Sequence, residues 1–518
     1  MTTLAPDIDQ TIRFSLRDYP SLNPFALDLV QGSGKAGQYL QPLNLERVLH
    51  CPGPPDSELV AALRTSNREW GNDVDQALND WAAGGSASVI AGQQVGFAGG
   101  PLLVLSKIAS EIKVREELER RGIRATCFFW LATEDHDYVE VAKATLLARE
   151  GKAHQIRAEE AAPTGRAVGS LPIPDSLRRQ WLELTGLGEE QWLGPGVTFC
   201  DSFAQLLSQV LKGLNVVLID ARLPRLRQLG APLFRQMLQR LPEIEAEIAA
   251  RSKALIADGY KPQVVPAADG HYSLFYRLSP QGMRQPIRVD EVEADVLTRL
   301  IEESPEQIST GALARPLLQD FVFKPAVFVG GPAEIAYYAQ IGTLHEMFGV
   351  TMPELALRAH VLVAPRRLLR IMQEFSISSS ELFSGTDAIL QRRDQDRLTR
   401  FEEEVAGLAG ALESQLTRIQ EEIAKSDPTQ VRPLQRMRRH FEKDLARLRR
   451  RGQRALIRAD QERFTAVTRL VETLAAGGVP QDRELNWFQF WKQYGAALMA
   501  TLIREAVPSP TDAVIAGL

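Results

Sequence analysis

A cluster of charged residues after an apolar run is the strongest candidate for chemistry in this sequence. Glu134, Asp135, His136 and Asp137 follow the apolar residues 126–131. Neighbouring carboxylates favour the imidazolium form of His136, which could stabilise negative charge at an acyl or phosphoryl centre. Glu134 or Asp137 could hold a substrate ammonium or take its proton. We therefore assign Glu134, His136 and Asp137 as catalytic and Asp135 as substrate-binding. The alternative is a charged turn that caps the next helix.

Two predicted helix starts place glycines before a proline and suit an anion. They are Gly99-Gly100-Pro101 and Gly330-Gly331-Pro332. Proline fits the first helical position, glycine lets a ligand approach the backbone, and the N–H groups of a first turn favour anions. Such starts are also common as purely structural features. We expect Gly330 and Gly331 to contact substrate.

Further polar residues complete the expected substrate-binding set. A glutamine pair at a strand end is costly unless its amides find partners. A lysine early in a helix could lean back toward an anion, or simply be exposed. A glutamate at the third helical position could equally cap the helix, and an arginine after a loop could lie on the surface. These residues are Gln93, Gln94, Lys107, Glu334, Tyr337 and Arg358.

The elements that must position these residues are predicted to form a doubly wound α/β core. Short apolar runs without alternation lie at 88–91, 126–131, 216–219 and 327–329, and helical patterns separate them. Such runs are typical of strands buried on both faces of a parallel sheet. Ligands bind beyond the carboxyl ends of such strands. We therefore expect the loops at Gln93, Glu134, Asp220 and Gly330 to line one crevice.

The chain divides into a Rossmann-like core, an arm and a closing segment. We place the core at 1–386, with insertions near 151–201 and 259–311 because these connections are too long for plain crossovers. Residues 387–476 are predicted to form a coiled-coil arm, since apolar residues recur there at steps of three and four. Residues 477–518 are expected to return to the core.

The arm predicts an antiparallel helical hairpin and a homodimer. A hairpin this narrow buries little apolar surface alone, so a partner arm is expected. The second arm helix is basic, and its arginines are expected to pair with glutamates of the first, namely Glu402, Glu403, Glu404, Glu421 and Glu422. The alternative is a nucleotide-phosphate or nucleic-acid surface, and the aromatic residue among these arginines, Phe441, belongs to the apolar pattern of the arm.

Composition is ordinary for a soluble globular protein and predicts a cytoplasmic location. The net charge of −5 gives no reason to expect nucleic acid, and no run approaches the length of a membrane helix. We expect no signal peptide from residues 1–10. The three cysteines are far apart, which fits a reducing compartment. Cys127 is expected to be a buried, inert thiol. Histidine and cysteine spacing predicts no metal site.

Several segments, in order, resemble the cysteine ligase family of bacillithiol biosynthesis. The segments are Ala91-Gly92-Gln93-Gln94, Gly100-Pro101 with Lys107, Glu134-Asp135-His136-Asp137, Arg315-Pro316-Leu317-Leu318-Gln319-Asp320, Val329-Gly330-Gly331-Pro332-Ala333-Glu334-Ile335-Ala336-Tyr337 and Gln481-Asp482-Arg483-Glu484-Leu485-Asn486. Together they cover essentially the whole chain.

The resemblance implies a fold similar to class I aminoacyl-tRNA synthetases and addition of L-cysteine to glucosaminyl-malate. ATP is the expected activator of the cysteine carboxylate, which would become an adenylate or an acyl phosphate. We call the last of these segments, residues 481–486, the closing motif. Its residues Arg483 and Asn486 are assigned to cofactor binding. The paired histidines and the Lys-Met-Ser-Lys-Ser loop of those synthetases are absent from the sequence. The alternatives are a nucleotidyltransferase on another small substrate and a noncatalytic nucleotide-binding dimeric scaffold.

Overall fold

The computed structural model describes most of the chain. The described residues are 11–20, 22–48, 52–161, 165–188, 190–267, 270–279, 283–287 and 294–518. They fall into two compact units, one formed by the chain up to Ala364 together with Pro480–Leu518, and the other by Pro365–Val479. Among them, no helix is long and apolar enough to cross a membrane. Cys51 lies outside the described residues.

The strands of the described residues all belong to the first unit. They are β1 (Thr11–Ser15), β2 (Ala87–Gln93), β3 (Ala125–Leu131), β4 (Lys143–Leu147), β5 (Ala153–Arg157), β6 (Val216–Asp220), β7 (Phe275–Leu278), β8 (Arg284–Pro286), β9 (Ile308–Thr310), β10 (Val327–Gly330), β11 (Glu354–Leu357), β12 (Val361–Ala364) and β13 (Asp512–Gly517).

The helices are spread over both units, with α13 to α18 in the second. They are α1 (Pro24–Gln31), α2 (Ser57–Glu69), α3 (Asp75–Ala82), α4 (Leu103–Arg120), α5 (Tyr138–Val141), α6 (Asp175–Thr185), α7 (Phe199–Val210), α8 (Pro224–Gln239), α9 (Leu241–Ala257), α10 (Ala294–Glu303), α11 (Ala314–Phe323), α12 (Pro332–Phe348), α13 (Arg366–Glu374), α14 (Ser379–Leu382), α15 (Thr386–Arg393), α16 (Gln395–Ser426), α17 (Val431–Ile457), α18 (Gln461–Leu474), α19 (Gln481–Glu484), α20 (Phe488–Tyr494) and α21 (Ala496–Glu505).

A five-stranded parallel sheet in the order β11-β10-β2-β3-β6 forms the centre of the first unit. Helix α4 connects β2 to β3 and packs on both, while α3 packs on β3 and α2 on β6. Residues of β2, β3 and β10 are buried almost without exception, because helices cover the sheet. The predicted Rossmann-like fold and its four strands are therefore confirmed, and β11 adds a fifth.

The strand order reverses between β2 and β10. From β2 the chain proceeds through β3 to β6 on one side, whereas β10 and β11 lie on the other. In open α/β sheets this reversal opens a crevice at the carboxyl ends of the two strands. Gln93 ends β2 and Gly330 ends β10, so the topology places both at that crevice.

The last part of the chain returns to the first unit. Strand β13 pairs antiparallel with β1 and parallel with β12, which makes a second, three-stranded sheet. The side chain of Gln481 bonds both the N–H and the C=O of Val363, at 2.7 and 2.8 Å, and so occupies the free edge of β12. The closing motif thus helps to hold this sheet together.

Two regions inserted between core strands carry small sheets of their own. Strands β4 and β5 form an antiparallel pair before α6, and β8, β7 and β9 form a three-stranded sheet after α9. The second small sheet shares an apolar core with α8, α9, α11 and α12. The N–H of Arg284 donates to Gly165 O at 2.9 Å, which joins the two inserted regions.

The second unit contains a long antiparallel helical hairpin, α16 and α17. Glu402 of α16 pairs with Arg449 of α17, and Glu413 pairs with Arg438, in agreement with pairing of the basic helix by glutamates. The coiled-coil prediction is confirmed. The unit begins before position 387, since α13 packs against α18 and α15 contacts both α16 and α17. The break between α17 and α18 at Arg458–Asp460 was not expected.

Candidate functional site

A buried lysine lies at the point where the strand order reverses. Lys107, in the second turn of α4, is 3% exposed. Its Nζ donates to Gly92 O at 2.6 Å and to Gln93 Oε1 at 2.8 Å, and it forms an ion pair with Glu334 of α12. Burial lowers the pKa of Lys107, and the Glu334 carboxylate opposes that shift. Lys107 is therefore buried, and the alternative considered from the sequence, an exposed lysine, is wrong.

The start of α12 completes this side of the crevice. Gly331 directly precedes α12, and its N–H donates to Glu334 Oε2 at 2.8 Å. A Cβ on Gly331 would lie 3.3 Å from that same oxygen, 3.8 Å from Lys107 Cε and 4.0 Å from Arg358 Nε. A side chain at this position would make ordinary contacts with Lys107 and Arg358 but would require a small shift of the Glu334 carboxylate. Glu334 both caps the helix and neutralises the lysine.

Arg358 is held from behind by the closing motif. Its Nη1 donates to Asp482 Oδ2 at 2.8 Å and to Ala359 O at 2.9 Å, and its side chain is 3% exposed. Asp482 also accepts a hydrogen bond from the hydroxyl of Tyr19. Asp482 therefore binds the guanidinium at Nη1, and the Nε atom lies near Gly331. Arg358 is buried, and so is not an ordinary surface arginine.

Arg315 supplies a cation without a carboxylate partner among the described residues. Its Nη1 donates to Gln319 Oε1 at 3.2 Å. Burial has the largest effect on the pKa of Lys107, and the charges of Arg358 and Arg315 lower that pKa further. We call Lys107, Arg315, Arg358 and the start of α12 the anion corner. Since Glu334 and Asp482 balance two of the three cations, one positive charge remains for a carboxylate or a phosphate.

Asp135 organises the loop of Glu134, Asp135, His136 and Asp137, which we call the charged loop. This loop follows β3, the strand on the other side of β2. Its Oδ1 accepts the N–H groups of His136 at 2.7 Å and Asp137 at 3.3 Å, and its Oδ2 accepts from Gln94 Nε2. The two adjacent glutamines therefore reach different partners, Gln93 toward Lys107 and Gln94 toward Asp135. The strand end links the anion corner to the charged loop.

Asp137 is the N-cap of α5, and its Oδ1 accepts from the N–H of Glu140 at 3.2 Å. Desolvation, followed by the charges of Asp137 and Asp135, raises the pKa of Glu140. Asp137 is exposed. We call Asp135, Asp137 and Glu140 the acidic corner. The capping role, which was the alternative considered from the sequence, is present, and the Asp137 side chain remains exposed to solvent.

Glu134 points away from the open loop. It is 8% exposed and pairs with Arg227 of α8, whose Nη1 donates to Glu306 O at 2.6 Å. A buried carboxylate needs such a partner, because an unpaired charge is costly inside a protein. Glu134 thus ties the loop to α8, which leaves Asp137 as the better placed of the two carboxylates proposed to take a proton.

Tyr337, on α12, is partly buried and packs against the apolar core that the second small sheet shares with the helices. Burial raises the pKa of Tyr337; Arg315 opposes the shift, and Glu334, Asp135 and Glu140 add to it. The adjacent residues Gln93 and Gln94 bond Lys107 of the anion corner and Asp135 of the acidic corner. We call the crevice at this strand end bipolar, because it has cations on one side and carboxylates on the other.

His136 is exposed, and its Nδ1 is 3.2 Å from Nη1 of Arg284 and 3.8 Å from Asp135 Oδ1. Arg284 comes from β8, in the second inserted region. The first inserted region also reaches this loop, since the N–H groups of Val168 and Gly169 donate to Asp135 O and Thr133 O at 2.7 and 2.9 Å. Both insertions therefore hold the charged loop in place.

Of the two residues assigned to a cofactor, Arg483 lies in α19 and Asn486 follows that helix. Asn486 Nδ2 donates to Ala98 O at 3.1 Å, and its Oδ1 accepts from Phe488 N at 2.9 Å. Asn486 is 1% exposed, so the structure gives it a role in holding the loop before α4. Arg483 is exposed at the surface of α19.

Five charged residues of the site were not assigned from the sequence, namely Glu140, Arg227, Arg284, Arg315 and Asp482. Arg315 and Asp482 stand in two of the segments that carry the family resemblance, which was a usable signal. For Arg227 and Arg284 no local pattern exists, because their partners lie far away in the chain. Among the described residues, no group of three or more histidine, cysteine or acidic side chains could hold a metal ion.

Fold and site together define a Rossmann-like α/β unit with a bipolar crevice, joined in one chain to a helical coiled-coil unit. The description "Bacillithiol biosynthesis BshC, N-terminal Rossmann-like domain" matches residues 44–359, and "Bacillithiol biosynthesis BshC, C-terminal coiled-coil domain" matches residues 361–515. The chain belongs to the BshC family of bacillithiol biosynthesis.

Curated relatives match over most of their length. A protein of Solibacter usitatus named "Putative cysteine ligase BshC" is 28% identical, over 96% of this chain and 97% of its own. Proteins with the same name from Koribacter versatilis and Staphylococcus carnosus are 27% and 24% identical, each over 90% of this chain and 91% of their own. The recognition made from the sequence is confirmed.

Proposed function

We propose that this chain joins L-cysteine to the amine of glucosaminyl-malate, and that ATP activates the cysteine carboxylate. The observation that carries the proposal is the bipolar crevice where the strand order reverses. The names of the relatives support a cysteine ligase. Glucosaminyl-malate has carboxylates at one end and an amine at the other, so its charge pattern is the complement of the crevice.

The anion corner suits the carboxylates of the malate group. Arg315 is the cation that lacks a carboxylate partner among the described residues, and the start of α12 adds backbone dipoles that favour negative charge. A phosphate group would suit the same donors. Lys107, Arg315 and Arg358 would therefore hold either the malate carboxylates or the phosphates of ATP, which when bound would supply the leaving group for the cysteine carboxylate.

The acidic corner suits the amine. An ammonium cannot attack a carbonyl carbon, so a carboxylate must first take one of its protons. The amine nitrogen then forms the C–N bond, and the leaving group departs with the electron pair of the broken C–O bond. We assign the proton acceptor as Asp137, because it is exposed whereas Glu134 is committed to Arg227. The Nε2 edge of His136 would face the acyl oxygen.

Asp137→Asn tests this assignment without disturbing the helix cap. Asparagine caps helices about as well as aspartate, so the hydrogen bond from Glu140 N is retained. We expect kcat to fall by about 10²- to 10⁴-fold, the usual contribution of a general base, with a small change in KM and melting temperature. Asp175→Asn, at an exposed helix start far along the chain, is the matched control. Full activity of the Asp137 variant would remove Asp137 from the mechanism.

We further propose that two copies associate through the hairpin of α16 and α17. The support is a set of large apolar side chains that stay exposed on it. They are Leu408, Ile419, Met437, Phe441 and Leu448, each between 39% and 52% exposed. A second hairpin would cover them, which is the usual use of such a stripe.

A further inference from the structure

Helix α17 carries a positive charge that the chain as a whole does not share. Its 27 residues include nine arginines and one lysine against one glutamate and one aspartate, whereas the net charge of the chain is −5. In the part of the chain that the structure describes, two of these ten cations pair with glutamates of α16, as Arg438–Glu413 and Arg449–Glu402. The pairing expected from the sequence therefore accounts for only a small part of this charge.

Six of the remaining cations form one straight row along α17. They follow one another at steps of three, four, four, three and four residues, and all six are exposed. They are Arg436, Arg439, Lys443, Arg447, Arg450 and Arg454. Steps of three and four keep side chains on one face of a helix, and at about 1.5 Å per residue the row is about 27 Å long. We call these six residues the cationic row.

The cationic row lies on the face of α17 that points away from α16. A Cβ on Gly452 would collide with the ring of Phe401 in α16, so the Gly452 face of α17 packs on that helix. Gly452 is two residues from both Arg450 and Arg454, which is about half a turn around the helix. Phe441, one of the apolar residues proposed to bring two copies together, is likewise two residues from the members of the row on either side. Association of two copies through that apolar surface would therefore leave the row in solvent.

The chain supplies almost no counter-charge to the cationic row. Among the described residues, Arg447 is the one member with an ion pair, which it makes with Asp444 of the same helix at 3.3 Å. Like charges at steps of three and four repel each other, so the row destabilises its own helix. An anionic partner from outside the chain would relieve this repulsion.

The composition and shape of the row favour the phosphates of a nucleic-acid duplex as that partner. Five of its six cations are arginines, whose planar guanidinium binds a phosphate through two parallel hydrogen bonds. The row is straight and one residue wide, which suits the closely spaced phosphates of a duplex better than the plane of a membrane surface. Basic helices that bind membranes insert an apolar face beside their cations, but the apolar face of α17 lies away from the row. A single strand would require aromatic rings for stacking, and Phe441 is also on the other face.

We propose that the cationic row of α17 binds the phosphate backbone of a nucleic-acid duplex. Contacts to phosphates alone carry no sequence information, so the binding has no sequence preference. The proposal departs from the expectation of no nucleic-acid partner, which rested on the net charge of the whole chain. It is independent of the proposed ligase reaction, because α17 belongs to the second unit and the crevice to the first.

Fluorescence anisotropy of the full-length protein with a labelled DNA duplex of about 20 base pairs tests the proposal. Binding through four or five phosphates should weaken by about 100- to 500-fold when the salt concentration rises from about 50 to about 200 mM. A second duplex of unrelated sequence should bind with the same affinity. Absence of binding at the lower salt concentration, or binding that salt does not weaken, would overturn the proposal.

Two double variants separate the row from the overall charge. Lys443→Gln with Arg450→Gln removes two members of the row, and each lost phosphate contact should lower the slope of affinity against salt by about one. The affinity at the lower salt concentration should fall by about tenfold or more. The control is Arg400→Gln with Arg418→Gln, which removes two exposed arginines of α16 and changes the net charge equally. The control should bind the duplex like the wild type.

The comparison of the two double variants decides whether the row is the binding surface. Circular dichroism and sedimentation establish that both are folded and have the oligomeric state of the wild type. Equal affinities of the two variants for the duplex would overturn the proposal, because binding would then follow net charge. Vesicles that contain phosphatidylserine form a separate arm of the experiment. Vesicle binding that is stronger than duplex binding and is lost in the row variant would assign the row to a membrane surface and would also overturn the proposal.

Discussion

Replacing Lys107 with methionine removes the buried cation of the anion corner and keeps most of the side chain's length. Lys107 is 3% exposed, and its Nζ contacts Gly92 O at 2.6 Å, Gln93 Oε1 at 2.8 Å and the Glu334 carboxylate. Methionine can donate to none of these. Three acceptors at the crevice therefore lose their charged donor at once.

The size of the effect follows from what each partner retains. A buried acceptor without a donor costs about 1–3 kcal/mol, and breaking a buried ion pair costs about 3–5 kcal/mol. The Glu334 side chain is 21% exposed and keeps the N–H of Gly331, so water and the helix start recover part of the loss. We expect the free energy of unfolding of Lys107→Met to fall by about 3 kcal/mol.

A double-mutant cycle with Glu334→Gln isolates the pair. Urea unfolding, followed by tryptophan fluorescence with the slope of each transition compared, gives the four free energies. We expect a coupling energy of about 1–3 kcal/mol, as for residues in direct contact. The matched control is Lys113→Met on the same helix, whose lysine is 29% exposed and pairs with Glu116 at 3.2 Å. That change should cost less than about 1 kcal/mol.

The reasoning would be refuted if Lys107→Met were as stable as Lys113→Met. It would also fail if the effects of Lys107→Met and Glu334→Gln were simply additive, because the lysine and the glutamate would then not interact in solution. Either result would remove the anion corner as an organised structure, and with it the placement of the malate carboxylates.

Two further predictions concern the core and the arm. Glu111 is fully buried, and burial raises its pKa well above the usual value, so the folded state binds this proton more tightly than the unfolded state. Its contribution to stability is therefore complete below about pH 4, the ordinary range of glutamate, and is lost as pH rises through the folded-state pKa. Glu111→Gln should raise the thermal midpoint relative to wild type at pH 8 and by much less at pH 4, and a difference that does not depend on pH would contradict this. The wild type should sediment as a dimer at micromolar concentration, and the double variant Phe441→Glu with Leu448→Glu should sediment as a folded monomer. The control variant Arg450→Gln should remain a dimer. A monomeric wild type would contradict the proposed association.

The central sheet could be predicted because its strands are continuous apolar runs. Strand β11 was missed because its four residues, Glu354–Leu357, include none of the β-branched or aromatic side chains that favour a strand. The sheet of β1, β13 and β12 was missed because its strands come from opposite ends of the chain, with Thr11 paired to Ala516. Such a pairing leaves no local pattern in the sequence.

The candidate site could be predicted only where chemistry and spacing coincide. Glu334 and Lys107 each stand near a glycine-proline helix start, and both are indeed at the crevice. The sequence could not show that Glu134 is buried against Arg227, since the two are 93 residues apart. For the same reason it could not show that Arg284 contacts His136, 148 residues away.

The most direct test of the account is whether the chain makes bacillithiol in a cell that accumulates glucosaminyl-malate because its own cysteine-adding enzyme has been deleted. Thiols are derivatised and quantified by mass spectrometry in cells that produce the wild type or Asp137→Asn at equal levels. We predict that the wild type restores bacillithiol and depletes glucosaminyl-malate, and that Asp137→Asn does so far more slowly. Persistent glucosaminyl-malate without bacillithiol, in cells that contain the folded wild-type protein, would contradict the proposed reaction.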